Sequence, residues 1–214
     1  MICAKRDSGF ALATLMAILA LASIAALLAM RNLWVNEKML NAEADQLRSQ
    51  QKAEAVLPVA LIDILGTSMT NSGEVTPNLR HTAGNSTQTQ TQAFFPTSLT
   101  DYDLLRQRLG TNACSTGICA PNALDPKASQ ASYWQAQIAT AMPVTASDMP
   151  YGNTTTWYWV EVFPHTNTTS FVYRITTLAN GVMTGGSTVL QAVWVRDTAT
   201  SSTGQWRSWH MLQN

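Results

Sequence analysis

Between Phe10 and Met30 the chain carries no ionisable side chain, whereas Lys5, Arg6 and Asp7 stand just before that run and Arg31 closes it. Wound as a helix, its about 21 residues span roughly 31 Å, close to the hydrocarbon thickness of a bilayer. Lys5 and Arg6 make the short leading end the cytoplasmic one by the positive-inside tendency, so the rest of the chain is expected across the membrane. The 214 residues at 23.3 kDa allow one ordinary domain plus such a segment and exclude a large multidomain enzyme.

Three processing routes compete for this segment. A secretory signal has a positive end, a shorter apolar core and a small-residue cleavage site, which Ala20-Leu21-Ala22 before Ser23 would supply, though inside the apolar run. A lipoprotein anchor needs a Cys after the run, but Cys3 precedes it. In the third route a short charged leader ends in Gly and is cut off, leaving the apolar run in the mature protein. Lys5-Arg6-Asp7-Ser8-Gly9 followed by Phe10-Ala11-Leu12 has that form.

The residues after Arg31 favour the third route. Up to Leu65 they contain no Gly, a single Pro, and mostly helix-compatible side chains, so one helix is expected from Phe10 to Leu65, roughly 80 Å long. Apolar residues recur at Leu33, Leu40, Ala44 and Leu47, then at Ala53, Val56, Leu57, Ala60, Leu61 and Ile64, an amphipathic stripe interrupted near Gln50 and Gln51. Pro58 is expected to kink the helix and Gly66 to stop it.

With the Gly9/Phe10 junction, the uncharged run to Met30, Arg31 directly after it, and Gln51-Lys52-Ala53-Glu54-Ala55-Val56-Leu57 near the helix end, the sequence resembles the type IV pilin superfamily, and within it the PilX-like minor pilins. The resemblance implies cleavage between Gly9 and Phe10 by a prepilin peptidase, N-methylation of Phe10, and a helix held in the inner membrane until it packs in a filament. Most pilins carry Glu at the fifth residue after the cut, where this chain has Thr14. In the family that carboxylate pairs with a neighbour's N-terminus, and a Thr hydroxyl accepts a hydrogen bond without neutralising charge. The K-type pseudopilin of type II secretion, which caps its filament, also lacks the Glu, so a position at or near a tip is expected.

Charged residues are only 12% of the chain, about half the roughly 25% of a typical soluble protein, so uncharged polar groups must cover the exported part. Residues 66 to 96 are rich in Thr, Asn, Ser, Gln and Gly and read as surface loop, with Thr87 to Gln92 a short alternating polar tract. A helix is expected from Asp101 to Leu109, capped by Thr100 or Asp101, and another from Asp125-Pro126 to about Ala141. Runs at Trp157–Val162, Phe171–Thr176 and Thr188–Val195 read as strands, with a fourth at Trp206–Leu212 completing an antiparallel meander. The expected fold is α+β and pilin-like: a long N-terminal helix, its apolar half protruding, packed on an antiparallel sheet of about four strands. Its parts are a leader at 1–9, a membrane or filament-core half-helix at 10–30, an amphipathic half at 31–65, and an exported domain at 66–214. The strands around Tyr173–Thr176 and Val189–Val193 also resemble the closing strands of PilX-like proteins.

Cys114 and Cys119 are close together in a segment expected to be exported, where a disulfide is favoured and Cys3 would leave with the leader. A zinc site would need His81, His165 or His210, which share no metal-type spacing. No Gly-x-Ser-x-Gly, phosphate-cradling loop or His-Glu-x-x-His occurs. Asp101 and Asp103 suit helix capping better than a calcium loop, and Trp157, Trp159 and Trp194 suit a core or a subunit contact better than sugar stacking. The 13 basic and 13 acidic residues balance without a basic cluster beyond the leading end, so nucleic acid is not an expected partner. No cofactor or enzymatic activity is expected. The resemblance implies a non-enzymatic minor pilin that primes or caps a type IV pilus, supports motility or adhesion, and contacts minor and major pilins through its N-terminal helix. Its implied location is the inner membrane, with a periplasmic domain, and then the cell-surface pilus. The alternatives are a K-type pseudopilin and a periplasmic binding or hydrolytic domain on an uncleaved anchor.

Overall fold

The computed structural model describes residues 10–69, 75–77, 93–110, 113–144, 156–165, 170–182, 186–198 and 201–213. Helix α1 runs Phe10–Leu65 and the chain divides into two compact units, Met1–Ala44 and Asp45–Asn214. In the first unit the described residues are helical, and their side chains from Leu12 to Glu43 are exposed.

In the second unit α1 buries a stripe that begins with polar groups, Asp45, Ser49 and Lys52, and continues with Ala53, Val56, Leu57, Ala60, Asp63 and Ile64. These positions recur at intervals of three and four, the spacing of one helix face. The stripe expected to include Leu47 is turned in phase there: Leu47 is exposed, because Asp45 and Ser49 have hydrogen-bonding partners on the sheet that a leucine lacks. The helix passes through Pro58, which lies on its exposed side, and ends at Gly66, whose N–H donates to the carbonyls of Ile62 and Asp63 and whose φ of 80° then turns the chain out of the helix.

The described sheets are a two-stranded ladder, β1 (Thr67–Met69) with β2 (Val75–Pro77), and a mixed sheet of seven strands. The seven are β3 (Cys114–Ser115), β4 (Ile118–Cys119), β5 (Met142–Val144), β6 (Thr156–Pro164), β7 (Phe171–Asn180), β8 (Ser187–Arg196) and β9 (Gly204–Leu212). The four long strands form the antiparallel meander read from the sequence, in the order β6-β7-β8-β9. The expected count of about four is corrected to seven, and the all-antiparallel expectation to mixed, because three strands of two or three residues extend the sheet beyond β6: β4 and β5 pair with β6, β4 in parallel, and β3 pairs with β4. Strands so short carry no readable alternation.

Both sheet faces are covered over β6 to β8. On one face Tyr158, Val160, Val162, Tyr173, Ile175, Ala179, Leu190, Ala192 and Trp194 join the α1 stripe and Phe94, Phe95, Tyr102 and Leu105 in one core. The opposite face holds Trp159, Leu178, Val189 and Leu212 with Trp134 and Ala131. Trp157 is half-buried, whereas Trp159 and Trp194 are buried, as core residues. The second covering layer is a broken helix: one-turn 3-10 segments at Pro126–Ser129 and Ile138–Thr140 flank α3 (Ala131–Ala136), where one helix from Asp125-Pro126 to Ala141 was expected. Gln130 breaks the run, and Ala128 O is taken by Trp134 Nε1 and Gln191 Nε2 instead of a continuing helix.

Helix α2 spans Leu99–Leu109, two residues longer at its start than expected. Its cap is Ser98, which accepts from Asp101 N–H, while the Asp101 carboxylate accepts from the backbone and hydroxyl of Thr97. Asp101 thus serves at the third helical position of a capping arrangement and not as the cap itself. The polar tract Thr87 to Gln92 lies outside the described residues.

Replacing Ile64, fully buried between α1 and the sheet, with Ala is expected to cost about 2–5 kcal/mol. Urea unfolding followed by tryptophan fluorescence measures this loss; a change within about 0.5 kcal/mol would contradict the helix-to-sheet packing.

Candidate functional site

Among the expected site residues, Gly9 lies outside the described residues, Phe10 is the first residue of α1, and Thr14 lies one turn further on with its side chain exposed. The surface they lead into is the most unusual feature of the molecule. Leu12, Leu15, Met16, Ile18, Leu19, Leu21, Ile24, Leu27, Leu28 and Met30 are all 55% or more exposed, and they point in every direction around the helix axis. An apolar stripe suits a sheet partner, but a helix apolar all round needs lipid or other helices. This helix is the one among the described residues long and apolar enough to cross a membrane. The Ser23 hydroxyl within this run donates back to Leu19 O at 2.8 Å, so that hydroxyl hydrogen need not face hydrocarbon.

Beyond Arg31 the exposed apolar residues continue as Leu33, Trp34, Val35, Met39 and Leu40, now interleaved with Glu37, Lys38 and Glu43. Lys38 Nζ sits 4.0 Å from the Trp34 ring centre, one turn away. An indole paired with a cation just past an apolar span is suited to a membrane–water boundary. Sequence reading passes over this pair, although a Trp four residues before a Lys marks it.

Where α1 enters the second unit, its buried polar groups meet the sheet. Asp45 Oδ1 accepts from Val182 N at 2.7 Å in the β7–β8 connection, and a Cβ on Gly181 would fall 2.3 Å from the same carboxylate. Ser49 and Thr188 hydroxyls are 2.6 Å apart, Thr177 donates to Ala53 O at 2.9 Å, and Tyr158 donates to Asp63 Oδ2 at 2.6 Å. These bonds fix the axial register of helix against sheet, which apolar contacts alone leave free to slide.

Cys114 and Cys119 are register partners at the open end of the β3–β4 hairpin, with sulfurs 2.02 Å apart, at disulfide distance. The two residues at the hairpin tip, Thr116 and Gly117, have φ of 46° and 78°, the twist that a tight antiparallel turn requires. Gly117 N donates to Thr140 O and Gly117 O accepts from Val160 N, each at 2.7 Å, so the tip is tied to β6. A Cβ on Gly117 would lie 2.6 Å from Met142 Cβ and 2.9 Å from Tyr158 O. The crosslinked hairpin therefore borders the sheet as a rigid piece of scaffold.

Two buried groups in the sheet have altered acidity, Glu161 and Tyr173. Burial raises the Glu161 pKa, opposed by the bidentate Arg174 directly across the ladder, whose Nη2 lies 2.7 Å from Glu161 Oε1. Burial likewise raises Tyr173, opposed by Arg196. Arg196 is buried; its Nε donates to Ser201 O, while Nη1 has no hydrogen-bond partner, nor has Tyr173 Oη. His165 follows β6 and His210 lies in β9, while His81 is outside the described residues, and no metal-type group of three His, Cys, Asp or Glu occurs among those described. An open cleft beside the end of α2 is lined by Asp103, Arg106, Gln107, Ala113, Pro121 and Asn122.

No protein-family model, no curated protein and no solved structure matches the chain.

Reducing the Cys114–Cys119 link is expected to lower unfolding stability by about 2 kcal/mol, since the loop it closes is short. Gly117→Ala should cost about 1–3 kcal/mol through its left-handed φ and the contact with Met142. Urea titrations with and without reductant measure both; insensitivity of the oxidised protein to Gly117→Ala would contradict the hairpin's seating on β6.

Proposed function

We propose that this chain is a non-enzymatic minor pilin that helps to prime or cap a type IV pilus. The observation that carries the reading is a single helix whose first half exposes apolar side chains on every side and whose last turns bury a stripe on a mixed sheet. Such a protein needs lipid for its first half before assembly and other helices after it. The Gly9/Phe10 junction, set immediately before the helix, supplies the processing step that would leave this half in the mature subunit.

In this reading prepilin peptidase cleaves after Gly9, Phe10 becomes the methylated N-terminus, and the inner membrane holds the subunit with its Asp45–Asn214 unit in the periplasm. Extraction into the filament replaces lipid contacts with contacts to other minor and major pilins. Thr14 in place of the usual Glu leaves a neighbour's N-terminal charge without a carboxylate, which favours a tip position where one helix contact is missing. A K-type pseudopilin shares that feature, and a type II secretion role is the second reading.

Mass spectrometry of the membrane-extracted protein tests the proposal: a mature chain beginning at methylated Phe10 is expected, while Met1 or Ser23 as first residue would overturn it. Deleting the gene should remove surface pili or their attachment; unchanged piliation and attachment together with lost protein secretion would transfer the subunit to type II secretion.

A further inference from the structure

Among the described residues, the mixed sheet is bordered by short strands on one side and open on the other. The outer side of β6 is taken by β4 and β5, whereas β9 pairs with β8 alone among the described residues. Natural edge strands are usually short or carry Pro or Lys, since a bare row of N–H and C=O groups invites another strand. Strand β9 is nine residues long, contains neither, carries its one charge, Arg207, at a bulge, and still has seven exposed residues in succession from Gln205 to Met211.

A bulge shapes this edge. Val193 opposes Ser208 but Trp194 opposes Trp206, so Arg207 is the extra residue on β9. Two residues three apart would ordinarily point to opposite faces. Here Trp206 opposes Trp194, Trp209 opposes Ala192 and Met211 opposes Leu190, all on the α1-bearing face. The three side chains are 46%, 50% and 42% exposed and make an apolar row along the open edge. The close β8–β9 approach leaves no room for a Cβ at Gly204, which would fall 2.4 Å from the Trp194 ring.

We propose that the β9 edge docks an extended acidic segment of another protein as an added strand. The segment from Ser201 to Asn214 contains Arg207 and His210 and no acidic residue. A second copy pairing through the same strand would put two Arg207 guanidiniums on one edge with no carboxylate between them, which opposes a homodimer. Lipid would leave the outer backbone groups of β9 without hydrogen-bond partners. A peptide strand satisfies them, lays alternate apolar side chains over Trp206, Trp209 and Met211, and sets a carboxylate near Arg207. This inference does not depend on the pilus reading.

The test uses the full chain in detergent micelles and a capped peptide of the same length as β9, alternating valine with glutamate and threonine. Comparators have lysine for glutamate, or a central proline, and a chito-oligosaccharide is titrated separately. The acidic peptide is expected to bind, to slow amide exchange in β9, and to weaken by roughly tenfold or more with Arg207→Glu, which should then prefer the lysine peptide. Trp209→Ala should weaken both, with circular dichroism unchanged. Failure of the acidic peptide to bind, equal binding of the proline peptide, or indifference to Arg207→Glu would overturn the proposal. So would binding of the oligosaccharide alone, which makes Trp206 and Trp209 a sugar platform, or self-association that protects β9 without peptide.

Discussion

The structure of the Asp45–Asn214 unit depends on burial of one helix face against one sheet face. Ala53, Val56, Ala60 and Ile64 are fully buried against Val160, Val162, Ile175, Leu190 and Ala192, and small residues at 53 and 60 allow the backbone to approach the sheet closely. Apolar burial of this kind is strong but indifferent to sliding. Position is set by the polar groups around it, from Asp45 at the β7–β8 connection to Asp63 at Tyr158. Burial thus holds the layers together, and hydrogen bonding chooses their register.

The same helix presents opposite surface chemistry along its length. Its last turns follow the three-four spacing of an element with a single partner, and its first turns follow no spacing because every direction is apolar. A chain of this size cannot supply a core for both. The proposed pilin role follows from that mismatch, since membrane and filament are the two environments that would cover the first turns in succession. On the sheet, the open β9 edge is a second unfinished surface, made of backbone donors and acceptors and an aromatic row instead of aliphatic side chains.

Much of the architecture is legible in the sequence because long elements repeat their pattern many times. The helix from Phe10 to Leu65 and the strands β6 to β9 lie close to where that pattern puts them. Leu47 departs from it because hydropathy ranks Asp45 and Ser49 as surface residues, while Val182 and Thr188 give them buried partners. The α2 cap differs because Ser98, Thr100 and Asp101 all suit an N-terminus, and Thr97 decides which of them serves. The break after Ser129 depends on who claims Ala128 O, and its claimants Trp134 and Gln191 come from a different turn and a different layer.

Taken alone, the sequence determined the long helix, its apolar first half, the meander and the proximity of the two cysteines, because each is a local pattern of a few residue types. It also supplied the pilin resemblance through the residues around Gly9, Phe10 and Thr14. Tertiary structure decided the three short border strands, the second covered sheet face, the polar clasp along α1 and the open edge of β9. Those features arise where residues distant in the chain compete for the same carbonyl or the same sheet border, and a bulge of one residue at Arg207 turns a whole row of side chains. Such outcomes depend on three-dimensional neighbours, which no local pattern encodes.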